Sequence, residues 1–152
     1  MSTIKVDTYL TRGGVSEIAI DKLKGASSAS SISVVGEGGT TTTNLQQGLV
    51  KCWAKIAADG ASILDSFNVS SHDDDGSGDG GININNDMSS TNYVIQLTVD
   101  DGGAGSSVNA IEVTDGTQAA GSFDYENNYV NSVENRTPFN VDRYIAVLGD
   151  LA

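Results

Sequence analysis

The sequence has one cysteine, one histidine and few basic residues, and these shortages exclude several kinds of protein. With Cys52 alone, no disulfide can form within the chain and no zinc site can be built from several thiolates. Because Cys52 adjoins Trp53 in an apolar run, we expect it to be a small buried side chain. Long hydrophobic runs are also missing, so the sequence predicts neither a signal peptide nor a membrane-spanning segment.

The shortage of basic residues makes the chain strongly acidic. Eight Lys and Arg residues stand against 20 Asp and Glu residues, for a net charge of -12 at pH 7. Such a surface repels phosphate backbones, so nucleic-acid binding is disfavoured. Nucleophile elbows, phosphate loops and His-Glu-x-x-His metal motifs are absent, although the many carboxylates leave a glycosidase-type acid pair open. We therefore expect a protein that is not an enzyme and needs no cofactor.

Short apolar runs separated by Gly, Asp, Ser and Asn predict an all-β fold. Asp-Gly steps at these breaks supply the positive φ that hairpin turns require. The pattern predicts an antiparallel, jelly-roll-like β-sandwich over residues 48–152. Its predicted strands are 49–57, 61–70, 81–85, 93–100, 109–114, 121–130 and 141–148. Its predicted core is Trp53, Ile56, Ile63, Phe67, Val69, Ile82, Ile84, Tyr93, Ile95, Leu97, Val99, Ile111, Val113, Phe123, Tyr144 and Val147.

Residues 1–47 form a separate, extended and poorly packed segment in this interpretation. Residues 1–12 alternate with the period of a strand, while residues 15–25 fit either a short helix or another strand. The Ser-, Gly- and Thr-rich stretch 26–47 buries too little apolar area to order itself. It either docks onto a larger partner or remains a flexible tail.

An acidic run at residues 72–81 is the candidate for metal binding. Asp73, Asp75 and Ser77 match the first ligands of a calcium-binding EF-hand loop, but Ile84 occupies the position that needs a glutamate. A solvated turn is therefore the favoured interpretation, with these three residues as a weak calcium candidate. His72, the sole histidine, is expected in the same exposed turn.

One aromatic and amide cluster is suited to contacts with a carbohydrate or a protein. Aromatic rings offer flat apolar faces, and side-chain amides exchange hydrogen bonds with hydroxyl groups. The candidate residues for contact with a host surface are Phe123, Tyr125, Asn127, Asn128 and Tyr129. A purely structural role in a strand and turn is the alternative.

The order of several segments resembles a module of phage tail fibres and related virion proteins, especially those of marine cyanophages. A Lys-x-Trp strand within 49–60 leads to Ser-Phe-Asn-Val-Ser-Ser at 66–71, and Asp-Asp-Gly-Ser-Gly follows at 74–78. The hydrophobic strand at 82–84 and the Met-to-Asn-Tyr segment at 86–93 continue the likeness. The opening residues 3–8 also resemble the start of small cyanophage appendage proteins.

This resemblance implies a structural protein of a phage virion, assembled in the host cytoplasm. Residues 1–47 would dock onto a capsid or tail protein, and a β-sandwich head would project, often as a homotrimer. A host-surface glycan or protein is a further candidate partner, which the aromatic and amide cluster of β-strand residues would contact. Because the long repetitive shaft of a tail fibre is missing, a short head fibre or capsid knob fits as well. Capsid decoration without receptor binding and a carbohydrate-binding module remain the alternatives.

Overall fold

The structure is a computed structural model that describes residues 21–25, 32–102, 108–130 and 136–152. Residues 21–25 contain no helix or strand, and the rest of the predicted 1–12 and 15–25 elements lies outside the described residues. No helix among the described residues is long and apolar enough to cross a membrane. The elements are β1 (Ser33–Val35), β2 (Thr42–Asn44), α1 (Leu45–Gly48), β3 (Val50–Ile56), β4 (Ile63–Phe67), β5 (Val69–Gly76), β6 (Asp79–Ile84), β7 (Val94–Val99), β8 (Val108–Val113), β9 (Ser122–Val130), β10 (Arg136–Pro138) and β11 (Arg143–Leu148).

Two antiparallel sheets make up the main body. One has the order β4-β3-β11-β7. In the other, β9 pairs with β6 along one edge and with β8 along the opposite edge, and β5 lies outside β6. The short β10 continues beyond β6 along the same edge of β9. Strands β1 and β2 form a separate two-stranded hairpin.

The core lies between the two larger sheets, as the period-two alternation of their strands requires. The predicted antiparallel all-β sandwich is thereby confirmed. Its buried cluster draws side chains from both sheets and from the segment between β6 and β7. The members are Cys52, Ala54, Ile56, Ile82, Ile84, Met88, Tyr93, Phe123, Tyr125, Ile145 and Val147.

Four residues of the predicted core are wrong, because they are exposed: Trp53, Ile63, Phe67 and Tyr144. In β3, Cys52, Ala54 and Ile56 point inward, so the intervening Trp53 must point outward. The same alternation in β11 turns Tyr144 outward between Arg143 and Ile145. Side-chain size suggested the core at Trp53 and Tyr144, but strand parity decided against it.

The predicted strand 61–70 is divided in two at Asn68. This residue has a φ of 58°, which ends β4 and starts β5 in a new direction. Its side-chain amide donates to Lys51 O at 2.9 Å and its Oδ1 accepts from Asn86 N at 2.8 Å. These hydrogen bonds hold an uncommon backbone conformation, and asparagine is among the residues that adopt it most readily.

Gly78 closes the β5–β6 hairpin at a point where the backbone is crowded. Its φ is +80°, and an added Cβ would lie 2.4 Å from Asn127 O and 2.8 Å from Phe139 N. Gly116 has nearly the same φ of +76°, but an added Cβ there would have nothing within 4 Å. The two glycines share their backbone conformation and differ in the space around them.

We predict that Gly116→Ala costs about 1 kcal/mol of unfolding free energy, because an L-residue strains this backbone region. Gly78→Ala should cost about 1–3 kcal/mol more, since backbone atoms must also move. Urea denaturation of the two full-length variants measures the difference. Equal losses in the two variants would show that the close approach at Gly78 does not constrain the fold.

Candidate functional site

The water-facing side of the four-stranded sheet carries a contiguous set of apolar side chains, which we call the outer apolar face. Trp53 on β3 pairs with Phe67 on β4 and with Ala146 on β11. Leu148 on β11 pairs with Val94 on β7. Since paired residues of adjacent strands project to the same side, these side chains form one surface. The outer apolar face comprises Val50, Trp53, Phe67, Val94, Tyr144 and Leu148.

This surface is unusual because an antiparallel sheet with one solvated side normally presents polar residues there. Val94 is 64% exposed, Phe67 55% and Trp53 36%. Lys55 supplies the local positive charge; its Nζ lies 3.1 Å from Asp142 Oδ2 and 5.3 Å from the centre of the Tyr144 ring. The hydrogen bond that Lys55 donates to Asp142 and the nearby Tyr144 raise the pKa of Lys55. The face therefore combines a wide apolar centre with one compensated cation.

Two cavities adjoin the outer apolar face at the end where α1 lies. The first, of about 270 Å³, is lined by Val50, Phe67, Leu49 and Leu151 together with polar side chains. The second, of about 430 Å³, includes Val94 and Leu148 in its lining. The apolar surface thus continues into concave regions on both sides of α1.

A β-bulge in β3 turns the Lys51 side chain into the protein beside the first cavity. Val147 pairs with Cys52, but the next residue, Leu148, pairs with Val50, so Lys51 is the extra residue. Lys51 is buried, and its Nζ donates to Leu49 O at 3.1 Å. Burial lowers the pKa of Lys51, while the negative charge of Asp150 raises it. Lys51 therefore stiffens this end of β3 without placing a free charge on the outer face.

The segment of residues 32–48, which we call the arm, extends from the sandwich as a small hairpin followed by α1. All three side chains of β1 are exposed, with Val34 at 51% and Val35 at 57%. Gln47 on α1 ties the arm to the sandwich, donating from Nε2 to Asp150 Oδ2 at 3.2 Å. A single two-stranded hairpin is at best marginally stable in water, so the arm lacks a core of its own.

A buried polar cluster occupies the end of the sandwich where β11 begins. Arg143 is 0% exposed and its Nη2 donates to Asn140 Oδ1 at 2.6 Å. Its guanidinium carbon lies 5.5 Å from the centre of the Tyr125 ring. His72 Nε2 and Tyr125 Oη share a hydrogen bond of 2.7 Å. Asn140 Oδ1 also accepts from Gly78 N at 2.7 Å, so the cluster fixes the β5–β6 hairpin to the segment before β11.

Burial shifts the titration of this cluster and of the core. It raises the pKa of Tyr125 to about 12, so this residue remains a neutral phenol. Burial also lowers the pKa of His72, and the positive charge of Arg143 lowers it further. The negative charges of Asp74 and Asp73 act in the opposite direction and raise it. In the core, burial raises the pKa of Cys52 to about 11, and the residue is the small buried side chain that was predicted. The hydrogen bonds of this cluster therefore stabilise the fold, and burial favours the neutral form of His72.

The structure encloses most of the residues predicted to contact a host surface. Phe123, Tyr125 and Asn127 are fully buried, and Asn128 is buried as well. Tyr129 is half-buried, and its ring lies 6.0 Å from that of Phe139. Phe123 and Tyr125 belong to the core cluster between the two sheets. Four of the five residues are therefore buried in this fold, while Tyr129 is partly exposed.

The acidic run lies mainly in a strand rather than in a loop. Residues 73–75 belong to β5, and only Ser77 and Gly78 separate it from β6. Asp73 accepts from Asn83 Nδ2 at 2.8 Å, and Ser77 donates to Pro138 O at 3.3 Å. Within the described residues, no group of three or more His, Cys, Asp and Glu side chains could hold a metal ion. The expected exposed turn for His72 is wrong as well, because its side chain is half-buried against Tyr125.

Sequence reasoning missed the outer apolar face because it assigned Trp53, Phe67 and Tyr144 to the core. The signal was nevertheless present. Cys52, Ala54 and Ile56 alternate with Trp53 and Lys55, and the two sets cannot share one side of a strand. Lys55 is expected on the solvent side of the strand. Trp53 stands two positions away and must therefore lie on the same side.

We predict that His72 makes the protein less stable as pH falls below about 6.5. The folded chain holds His72 at a pKa below its ordinary value of 6.5, so the unfolded chain binds more protons in this range. His72→Gln removes the only histidine and should therefore flatten the change in stability between pH 7 and pH 5, roughly above the range where carboxylates titrate. Urea midpoints at the two pH values test this; an unchanged pH dependence in the variant would contradict the neutral, locked histidine.

Comparison with known proteins gives no relative on which to base a function. No family model, no curated protein and no solved structure matches the chain. The candidate sites are therefore defined by the chemistry of the surface and the arm.

Proposed function

We propose that this chain is a non-enzymatic structural protein of a bacteriophage particle, a small fibre-like or knob-like appendage. The arm attaches it to a capsid or tail protein, and the β-sandwich projects from that attachment. The role is one of assembly and display. Adsorption to a host surface is not included, because the residues expected to perform it are enclosed by the fold.

The exposed hairpin of the arm is the observation that carries this proposal. Val34 and Val35 project to opposite sides of β1, and both are more than half exposed. The only charged residue within 32–48 is Glu37, so an apolar or polar partner surface can cover the arm at little electrostatic cost. A short hairpin with a single charged residue gains stability by pairing with or packing against a larger protein.

The sequence resemblance described above supports the same role. The segments that carry it include strand β3, the break at Asn68 and the β5–β6 turn, which form one continuous part of the sandwich. The resemblance connects this part to virion appendages, and the arm supplies an attachment segment on its N-terminal side.

We predict that Val34→Lys weakens attachment to the particle by at least about tenfold, because a buried valine contributes roughly 1.5–3 kcal/mol. The measurement is co-sedimentation of the full-length protein with phage particles that lack it. Ser70→Lys is the matched control, since Ser70 is an exposed residue of β5 on the other sheet. Failure of the wild-type chain to bind particles, or equal binding by Val34→Lys, would contradict the proposal.

A further inference from the structure

We propose that the outer apolar face is the surface through which copies of this chain bind one another. This inference goes beyond the proposed function, because self-association through the face does not depend on what the arm binds. The occupant is the same face of a second copy. Three features of the face support this choice.

The first feature is the continuity of the apolar surface. Trp53 and Phe67 are cross-strand partners, and Leu148 and Val94 are another such pair on the same side. Exposed hydrophobic residues that occur singly need no explanation, whereas a contiguous patch marks an interaction surface. Covering this patch removes apolar area from water, which is the main favourable term in protein association.

The second feature is the local charge, which favours a copy over other partners. Two copies of a chain with a net charge of -12 repel each other. This repulsion is weakest where positive and negative side chains balance. On the outer face, Lys55 pairs in register with Asp65 and forms an ion pair with Asp142. Because Lys55 is already compensated, an anionic partner gains little there. Two copies can therefore bring this face together with less mutual repulsion than other parts of the acidic surface.

The third feature is the shape at the end of the face. The cavities of about 270 and 430 Å³ are concave regions that include Val50 and Phe67, and Val94 and Leu148, respectively. The first of them is lined largely by apolar side chains, and a projecting ring such as Trp53 can enter the same region of a facing copy. A surface that has both projecting and concave regions can be complementary to the same surface of a second copy.

Light scattering of the full-length protein across a dilution series tests the proposal. The wild type should show a mass of at least twice the 15.7 kDa of one chain, and this mass should fall on dilution. Val94→Lys should weaken self-association by at least tenfold, since it places a cation within an apolar contact. Phe67→Lys provides a second variant at another highly exposed position, and circular dichroism checks that both remain folded.

Val34→Lys in the arm is the matched control, because it makes the same substitution at a comparably exposed valine outside the face. It should self-associate like the wild type. A wild type that is monomeric at every concentration would overturn the proposal. Dissociation by Val34→Lys with assembly intact in both face variants would overturn it too, because the arm would then be the contact. Since attachment to particles is measured separately, failure of this inference is distinguishable from failure of the proposed function.

Trp53 gives a direct readout of the face, because it is the only tryptophan in the chain. On association, its partly exposed ring should lose water, so its fluorescence emission should move to shorter wavelength in step with the mass. In Val94→Lys the emission should stay at its dilute position. A rise in mass with unchanged Trp53 emission would place the contact elsewhere and overturn the proposal.

Discussion

The alternation of side chains along β11 and along β3 beyond its bulge at Lys51 is the constraint on which the rest of the structure depends. These two strands are paired at the centre of the four-stranded sheet. Their inward rows supply Cys52, Ala54, Ile56, Ile145 and Val147 to the core. The residues between these inward positions must therefore point away from the core, so Trp53 and Tyr144 face water. The alternation of side chains therefore accounts for both the buried core and the outer apolar face.

The two ends of the sandwich serve different purposes. At the end where β11 begins, Arg143, Tyr125 and His72 form a buried polar cluster whose hydrogen bonds fix the β5–β6 hairpin. At the opposite end, α1 and the arm meet the last residues of β11, where the Lys51 bulge and two cavities interrupt the regular sheet. Buried hydrogen bonds fix one end, and the other end carries the arm through which we propose attachment.

Much of the fold could be predicted from the sequence. Turn residues located the breaks, so that β3, β7, β8, β9 and β11 lie close to their predicted positions. The break at Asn68 could not be predicted, because it depends on hydrogen bonds to Lys51 and Asn86, which are distant in sequence. The short strands of the arm were also missed, as their Ser, Thr and Gly residues give a weak pattern.

The candidate sites were harder to predict than the fold. Tyr125 of β9 was predicted to contact a partner, and Phe123 was placed both there and in the core. The structure buries both of them. Trp53, Phe67 and Tyr144 were assigned to the core, and the structure exposes them. Periodicity identifies two sides of a strand, but only the position of the strand in its sheet decides whether a side is covered. Phe123 and Tyr125 are buried because β9 lies in the middle of its sheet facing the other one.

An experimental structure of the assembled protein, determined by electron cryo-microscopy or crystallography, tests the central claim most directly. That claim is that the outer face, left uncovered in a single chain, is covered in the assembled protein. The account predicts that Trp53, Phe67 and Val94 lie within van der Waals contact of the same face of a neighbouring copy. An assembly in which these three side chains remain open to solvent, while other surfaces join the copies, would contradict it.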